Sequence, residues 1–313
     1  MGQPLFLQAV IQEKIWGGRK LEEVFGYPLK DGKFGEAWAI SAHPNGVSTI
    51  LNGPFQGMGL DQLYREQPAL FGNRSEPVFP LLTKILDAND WLSVQVHPDD
   101  AYGLEHEGEL GKTECWYVLD AEPGAEIIYG HQAQSKEELA QMLAEGCWDD
   151  LLLRQPVQKG DFFYVPSGTM HAIGKGILIL ETQQSSDTTY RVYDFDRQDE
   201  QGQTRELHLQ QSLDVLNLGP VANSRTAALK VGSNRYKQLV ANDFFVVWKW
   251  EIRELAELSR EADYLLVSVI EGRGNMTVGE QDYPLKKGDH FLLLQDVDSW
   301  SFSGEMELIV SHP

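Results

Sequence analysis

Short runs rich in Val, Ile, Leu, Phe, Tyr and Trp, broken by Gly, Pro, Asn or Asp about every ten residues, recur along this chain. No other feature limits the fold as strongly, because runs this short bury the faces of sheets and not the stripe of a packed helix. Predicted strands are Trp91–His97, Cys115–Leu119, Glu126–Tyr129, Asp161–Val165, Ile177–Thr182, Phe244–Trp250, Tyr264–Ile270 and His290–Leu294. One clear helix is predicted over Lys136–Glu145, with Leu139, Met142 and Leu143 on one face and a Ser135/Glu138 capping box at its start. Weaker helical patterns cover Leu60–Gln67, Leu207–Leu216 and Arg19–Val24. The expected fold is therefore mainly β, of sandwich or barrel type, with a few short helices.

The run Lys159-Gly160-Asp161-Phe162-Phe163 returns as Lys287-Gly288-Asp289-His290-Phe291, a Gly-Asp turn feeding an apolar strand in both places. This echo predicts two related β units, residues 1–220 and 239–313. They would be joined by a polar, irregular connection at about 221–238.

The chain of 313 residues carries 47 acidic against 26 basic side chains, a net charge of −21. Nucleic acids and anionic membranes need a basic footprint, so neither is an expected partner. An anionic small molecule would need a local island of Lys and Arg set against that field. Cys115 and Cys147 make no disulfide framework and fit a reducing compartment. Met1-Gly-Gln-Pro-Leu-Phe6 is not expected to be a signal peptide, and the longest apolar runs are too short to span a bilayer. The expected location is the cytoplasm.

Alternation places Trp91, Ser93, Gln95 and His97 on one strand face and Leu92, Val94 and Val96 on the other. A Ser/Gln/His face backed by aliphatic residues suits a polar cavity inside a barrel. In Lys112-Thr-Glu114-Cys-Trp116, the residues Lys112, Glu114 and Trp116 share a face and Cys115 points away. Gly160-x5-Pro166-x-Gly168-x2-His171 sets a further histidine just past a tight turn. Gln95, His97, Glu114 and His171 together offer two imidazoles, a carboxylate and an amide. That donor set suits one divalent transition ion, Zn²⁺ first, with an open position for substrate or water. His43, His106, His131, His208, His290 and His312 have no such company, and Asp99 and Asp100, after Pro98, are expected to be turn residues.

The Gly160-to-His171 series matches the second motif of the cupin superfamily. Gln95-Val-His97-Pro98 followed by Lys112-Thr-Glu114 resembles the first motif as modified in type I mannose-6-phosphate isomerases. Gly35-Glu36-Ala37-Trp38, Leu82-Thr83-Lys84-Ile85-Leu86-Asp87 and Ser185-Ser-Asp187-Thr-Thr-Tyr-Arg191 are similar to that family too, so the likeness spans nearly the whole chain. It is greatest to the short bacterial form, which lacks a large helical insertion. Leu110-Gly-Lys112-Thr-Glu114 stands where longer enzymes carry Asn-His-Lys-Pro-Glu, so a role given to that His does not transfer.

The resemblance implies two cupin-type β units, the first catalytic and the second degenerate and metal-free. It implies interconversion of mannose 6-phosphate and fructose 6-phosphate by C1–C2 proton transfer through a cis-enediol. Lys112 would shuttle the proton, with its pKa lowered by a neighbouring metal; Arg191 would polarise the C1–C2 oxygens and Asp187 would orient it or assist ring opening. Ser93 and Arg197, assisted by Lys84, would hold the phosphate, with Glu36 and Glu181 as partners of the bases. Two other functions compete. A cupin dioxygenase usually has a third His where Gln95 stands, and a non-catalytic sugar-phosphate-binding cupin would lack Lys112 or Arg191. The sequence leaves the oligomeric state open.

Overall fold

Two strands, Leu81–Ala88 and Ile177–Gln184, are buried along their whole length, which requires packing on both faces of the sheet that contains them. The structure, a computed structural model, describes residues 2–198, 202–221 and 227–313. These two strands pair side by side in a six-stranded antiparallel sheet ordered Phe162–Val165, Glu114–Ala121, Ile177–Gln184, Leu81–Ala88, Phe34–Ile40, Val10–Gly18. Facing it is a five-stranded sheet ordered Tyr190–Tyr193, Val94–Val96, His171–Ala172, Glu126–His131, Leu152–Pro156.

Alternation sorts the central strands into two layers. Leu86, Trp116, Val118, Ile177 and Ile179 pack with Trp16, Leu92 and Ile173 in the layer that lies beside the polar cavity. On the outer face Leu81, Ile85, Cys115, Tyr117, Leu119, Leu178 and Leu180 join a second core. That core also takes in Leu239, Phe245, Val247, Leu266, Leu292 and Ile309 from the C-terminal part of the chain. The C-terminal part supplies eight strands of a ten-stranded antiparallel sheet dominated by Leu265–Val278 and Ser299–His312. The chain is mainly β, as expected.

The repeated Gly-Asp turn is built the same way twice. Gly160 (φ 92°) and Gly288 (φ 91°) occupy a region that excludes a side chain at little cost only for glycine. Asp161 accepts from the Gln158 amide at 2.9 Å, and Asp289 from the Lys286 amide at 2.8 Å. Each glycine N–H bonds to a strand carbonyl, Val118 in one case and Val269 in the other.

The helix Lys136–Glu145 starts on Ser135, whose hydroxyl accepts from the Glu138 amide; the Glu138 carboxylate reaches back to the Gln134 amide, one residue before the cap. Lys20–Phe25, Leu60–Glu66 and Leu209–Val215 match the weaker helical patterns. Asp100–His106 is a helix the sequence left as a turn: Asp99 caps it through the Tyr102 amide, and Asp100 accepts from the Gly111 amide. Both aspartates are thereby occupied.

Three expectations need correction. The strand Trp91–His97 shrinks to Val94–Val96, and before it the parity slips, so Leu92 faces the cavity while Trp91 packs with Val94 and Val96 on the other side. The stretch Asp187–Arg197 is extended only over Tyr190–Tyr193, because Phe195 and Asp196 have φ of 54° and 53° and turn the chain. Within the expected connection at 221–238, Ala227–Val231 and the following Asn234–Ala241 pair as a hairpin at the edge of the large sheet. The N-terminal strand Leu5–Gln8 also belongs to that sheet, between His290–Leu293 and Thr49–Ile50.

Leu180 is 1% exposed in the core shared by both parts. Leu180→Ala is expected to cost about 2–5 kcal/mol. Urea unfolding followed by fluorescence and circular dichroism should still show one transition, since the cavity would weaken a core common to both parts; two separated transitions would contradict that coupling.

Candidate metal centre and cavity

The cross-strand register brings the first donors together. His171 and Arg191 lie directly opposite Gln95 on its two neighbouring strands, so all three side chains share a face. Glu114 comes from the opposing sheet, where Gln183 is its partner. His97 follows Val94–Val96, and its carbonyl accepts the N–H of Gly168 at 2.8 Å. That bond ties the turn Pro166-Ser-Gly168 to the first histidine, which is why the two motifs meet. A Cβ at Gly168 (φ 79°) would lie 2.3 Å from the Asn217 side-chain nitrogen.

The His97, Glu114 and His171 donor atoms lie within 4.8 Å of one another, and all three residues are buried. His171 Nε2 is 3.4 Å from Glu114 Oε1, and His97 Nε2 is 3.5 Å from Glu114 Oε2. Each imidazole uses its other nitrogen as a donor: His97 Nδ1 to the Thr188 carbonyl and His171 Nδ1 to the Thr169 carbonyl, both at 2.9 Å. These bonds select the tautomer whose Nε2 lone pair faces the carboxylate, the usual preparation of a metal-ligating histidine. Gln95 Nε2 is 3.4 Å from His171 Nε2, and turning its amide over presents Oε1 at the same place. Glu114 Oε2, fully buried, has no hydrogen-bond donor in line; its 2.8 Å contact with Lys112 Nζ is an ion pair. Two neutral nitrogens, an under-satisfied carboxylate oxygen and an amide fit a borderline divalent ion.

Burial shifts the titrations here. Burial, then the Lys112 charge, holds His97 well below its usual value. His171 is pushed down to about 4, again chiefly by burial. Lys112 lies 3.0 Å from His97 Nε2. Its burial alone would lower its pKa, but in the metal-free chain Glu114 and Glu181 outweigh that and raise it. Burial and then the Glu114 charge raise Glu181 to about 7. The Trp116 indole donates to Glu114 Oε1 at 3.0 Å and Glu181 Oε1 at 3.1 Å, holding the two carboxylates side by side.

Above the cluster opens a cavity of about 310 Å³. Of the expected site residues, Ser93, Gln95, Lys84, Lys112, Glu114, Glu36, Glu181, Asp187 and Arg191 line it. His97 and His171 lie at the donor cluster itself. Lys84 is 3.9 Å from both Glu36 and Glu181 and stands over the Trp38 ring. Burial opposes the Glu36 carboxylate, but Lys84, Lys14 and the Trp38 indole N–H together lower its pKa. Asp187 accepts from Asn45 at 2.9 Å.

Arg197 is the exception: it does not line the cavity, because the Phe195-Asp196 turn folds it back onto Asp194 and the Trp91 carbonyl. Lys14, Thr189 and Arg205 line the cavity without having been singled out. Lys14 was masked by inverted polarity, since it faces the cavity while neighbouring Ile15 is 52% exposed. Arg205 follows a loop and has no strand parity to find it by.

Fold and donor set together define a β sandwich of cupin type, with a buried His97–Glu114–His171 cluster that could hold a metal ion at the floor of a charged cavity. The type I phosphomannose isomerase catalytic-domain model matches residues 5–119, and the mannose-6-phosphate isomerase cupin-domain model matches 235–313. The chain is 62% identical to a mannose-6-phosphate isomerase of Streptococcus mutans, over 100% of this chain and 99% of that protein. It superposes with a TM-score of 0.97 on the crystal structure of the mannose 6-phosphate isomerase from Bacillus subtilis, which is 47% identical and covered in full by both chains. A variant of the phosphomannose isomerase from Salmonella typhimurium, 16% identical, shares the fold at a TM-score of 0.82 with 99% of each chain covered. The chain belongs to the type I mannose-6-phosphate isomerase family and is an isomerase. Among the described residues, no helix is long and apolar enough to cross a membrane.

An unfolded imidazole takes up a proton below about pH 6.5, whereas folded His171 resists protonation down to about 4. The unfolded chain binds more protons in this window, so metal-free protein should lose stability as pH falls through it. Urea midpoints across that range should fall less steeply in His171→Gln than in wild type; equal slopes would show that His171 is not held neutral. His290 is a separate case, bonded to Tyr27 and Ser268 at 2.7 and 2.8 Å. His290→Asn should keep the metal stoichiometry of wild type by elemental analysis, whereas Glu114→Gln should lose it.

Proposed function

We propose that this chain interconverts mannose 6-phosphate and fructose 6-phosphate by moving a proton between C1 and C2 through a cis-enediol. A divalent ion, zinc by preference, would be held by Gln95, His97, Glu114 and His171. The observation that carries this reading is the buried His97–Glu114–His171 cluster, prepared by its outer hydrogen bonds, at the floor of a cavity lined by both ammonium and carboxylate groups. When bound, the zinc supplies Lewis-acid stabilisation of the negative charge that develops on the enediol oxygens, worth several kcal/mol.

The chain's own residues divide the remaining work. Lys112 sits beside both His97 and Glu114 and holds a proton at the donor cluster. Glu181, whose carboxyl is raised to about 7 by burial and the Glu114 charge, is the adjacent group able to take up and return a proton at neutral pH. Arg191, opposite Gln95, would meet the C1–C2 oxygens, and Asp187 would assist ring opening. Ser93, 3.5 Å from Gln95 Oε1, offers a hydroxyl to the substrate. Lys84 is shared between Glu36 and Glu181, which favours a structural charge over direct phosphate binding. The substrate is small, and a phosphorylated sugar together with two unpaired cysteines fits the cytoplasm.

Turnover of mannose 6-phosphate should vanish on chelation and return on adding zinc; activity unaffected by exhaustive chelation would remove the metal from the reaction. In Lys112→Met, exchange of the C2 proton into deuterated water is expected to slow by about a hundredfold. Exchange at the wild-type rate would remove Lys112 from proton transfer.

A further inference from the structure

We propose that Arg205 is the side chain that binds the substrate phosphate, with Asp194 and Arg197 as the pair that positions it. This rests on the sugar-phosphate reading above and replaces Arg197 as the direct ligand.

Asp194 is 4% exposed and gathers two guanidinium groups. Arg205 grips it in a fork, Nε to Oδ2 at 2.7 Å and Nη2 to Oδ1 at 2.5 Å, and neither bond uses Nη1. Arg205 lines the cavity. Arg197 is spent differently: Nη2 donates to Asp194 Oδ1, Nε to the Asp194 carbonyl at 3.2 Å, and Nη1 to the Trp91 carbonyl at 2.5 Å. With all three nitrogens engaged and no share of the cavity wall, Arg197 fixes Asp194 and does not face a ligand.

Arg191 joins this group to the metal end of the site. Its backbone exchanges two bonds with His208, 3.0 Å to Nδ1 and 2.7 Å from the His208 amide, and its Nη1 donates to the Glu206 carbonyl at 2.8 Å. The segment carrying Arg205 is therefore clamped onto the strand whose Arg191 stands opposite Gln95. Arg191 Nε is buried with no acceptor, although Arg191 lines the cavity.

Charge balance points the same way. Arg197 and Arg205 share the single carboxylate of buried Asp194, and Arg191 stands near them and, among the described residues, has no ion-pair partner of its own. Lys84 and Lys112, by contrast, are already faced by Glu36, Glu181 and Glu114. A phosphate monoester, close to a dianion at neutral pH, suits guanidinium groups that share one carboxylate, and guanidinium forks are the side chains best shaped for it.

The test uses the zinc-loaded full chain, with steady-state isomerisation and, independently of turnover, calorimetric binding of inorganic phosphate. Arg205→Ala should raise both the KM for mannose 6-phosphate and the phosphate Kd by about tenfold or more. Its kcat should change less, and its zinc content should match wild type. Arg205→Lys, which keeps the charge but loses the fork onto Asp194, should fall between them and serves if the alanine variant folds poorly. Arg197→Ala should move KM less than Arg205→Ala does. Wild-type KM and phosphate Kd in both Arg205 variants, or a larger rise in Arg197→Ala than in Arg205→Ala, would overturn the proposal. Wild-type protein that binds phosphate through Arg205 yet turns over no sugar phosphate would overturn the isomerase reading and leave this assignment standing.

Discussion

A layer of buried charge between two sheets is the constraint around which the catalytic part is arranged. Glu36, Lys84, Lys112, Glu114 and Glu181 are each no more than 7% exposed. Removing an ion from water is unfavourable by several kcal/mol unless partners replace the lost hydration. Lys84 lies between Glu36 and Glu181, and the Trp116 indole joins Glu181 to Glu114. Glu114 pairs its Oε2 with the Lys112 ammonium at 2.8 Å without a well-aligned hydrogen bond, and two imidazoles face its oxygens. A hydrophobic layer of equal volume would be at least as stable, so the buried charges are not explained by stability alone.

The surrounding apolar structure keeps that layer dry and in register. Leu86, Val118, Ile177 and Ile179 lie on the cavity side of the central strands, and Ile85, Leu119, Leu178 and Leu180 lie on the other. The outer face is covered by residues from the C-terminal sheet, so the second unit acts on the first through packing. The same Gly-Asp turn serves both units, but its consequences diverge. After Gly160 the chain goes on to Pro166, Gly168 and His171; after Gly288 it enters the fully buried strand His290–Leu293. His290 spends both nitrogens on Tyr27 and Ser268 and is a packing residue.

How much of the site was legible depended on whether local periodicity survived into the structure. Lys112, Glu114 and Trp116 face the cavity because the strand parity holds there, and Cys115 lies in the opposite core for the same reason. Parity failed at Leu92, where the chain enters a short strand, and at Arg197, where two residues of positive φ reverse its direction. At Lys14 and Ile15, the charged residue points into the cavity and the aliphatic one outward. In each case a local pattern was overruled by a contact with residues far along the chain.

By itself, the sequence determined the β architecture and the duplicated turn, and it singled out the side chains that the fold gathers as His97, Glu114 and His171, because alternation and turn chemistry are properties of neighbouring residues. Only the tertiary structure decided which bases reach the cavity and which titrations are displaced. Burial and charge pairing are set by side chains that approach across two sheets: Glu181 meeting Glu114 through Trp116, and Asp194 dividing its carboxylate between Arg197 and Arg205. Such meetings leave no period in the chain, because they depend on where strands from distant segments come to lie.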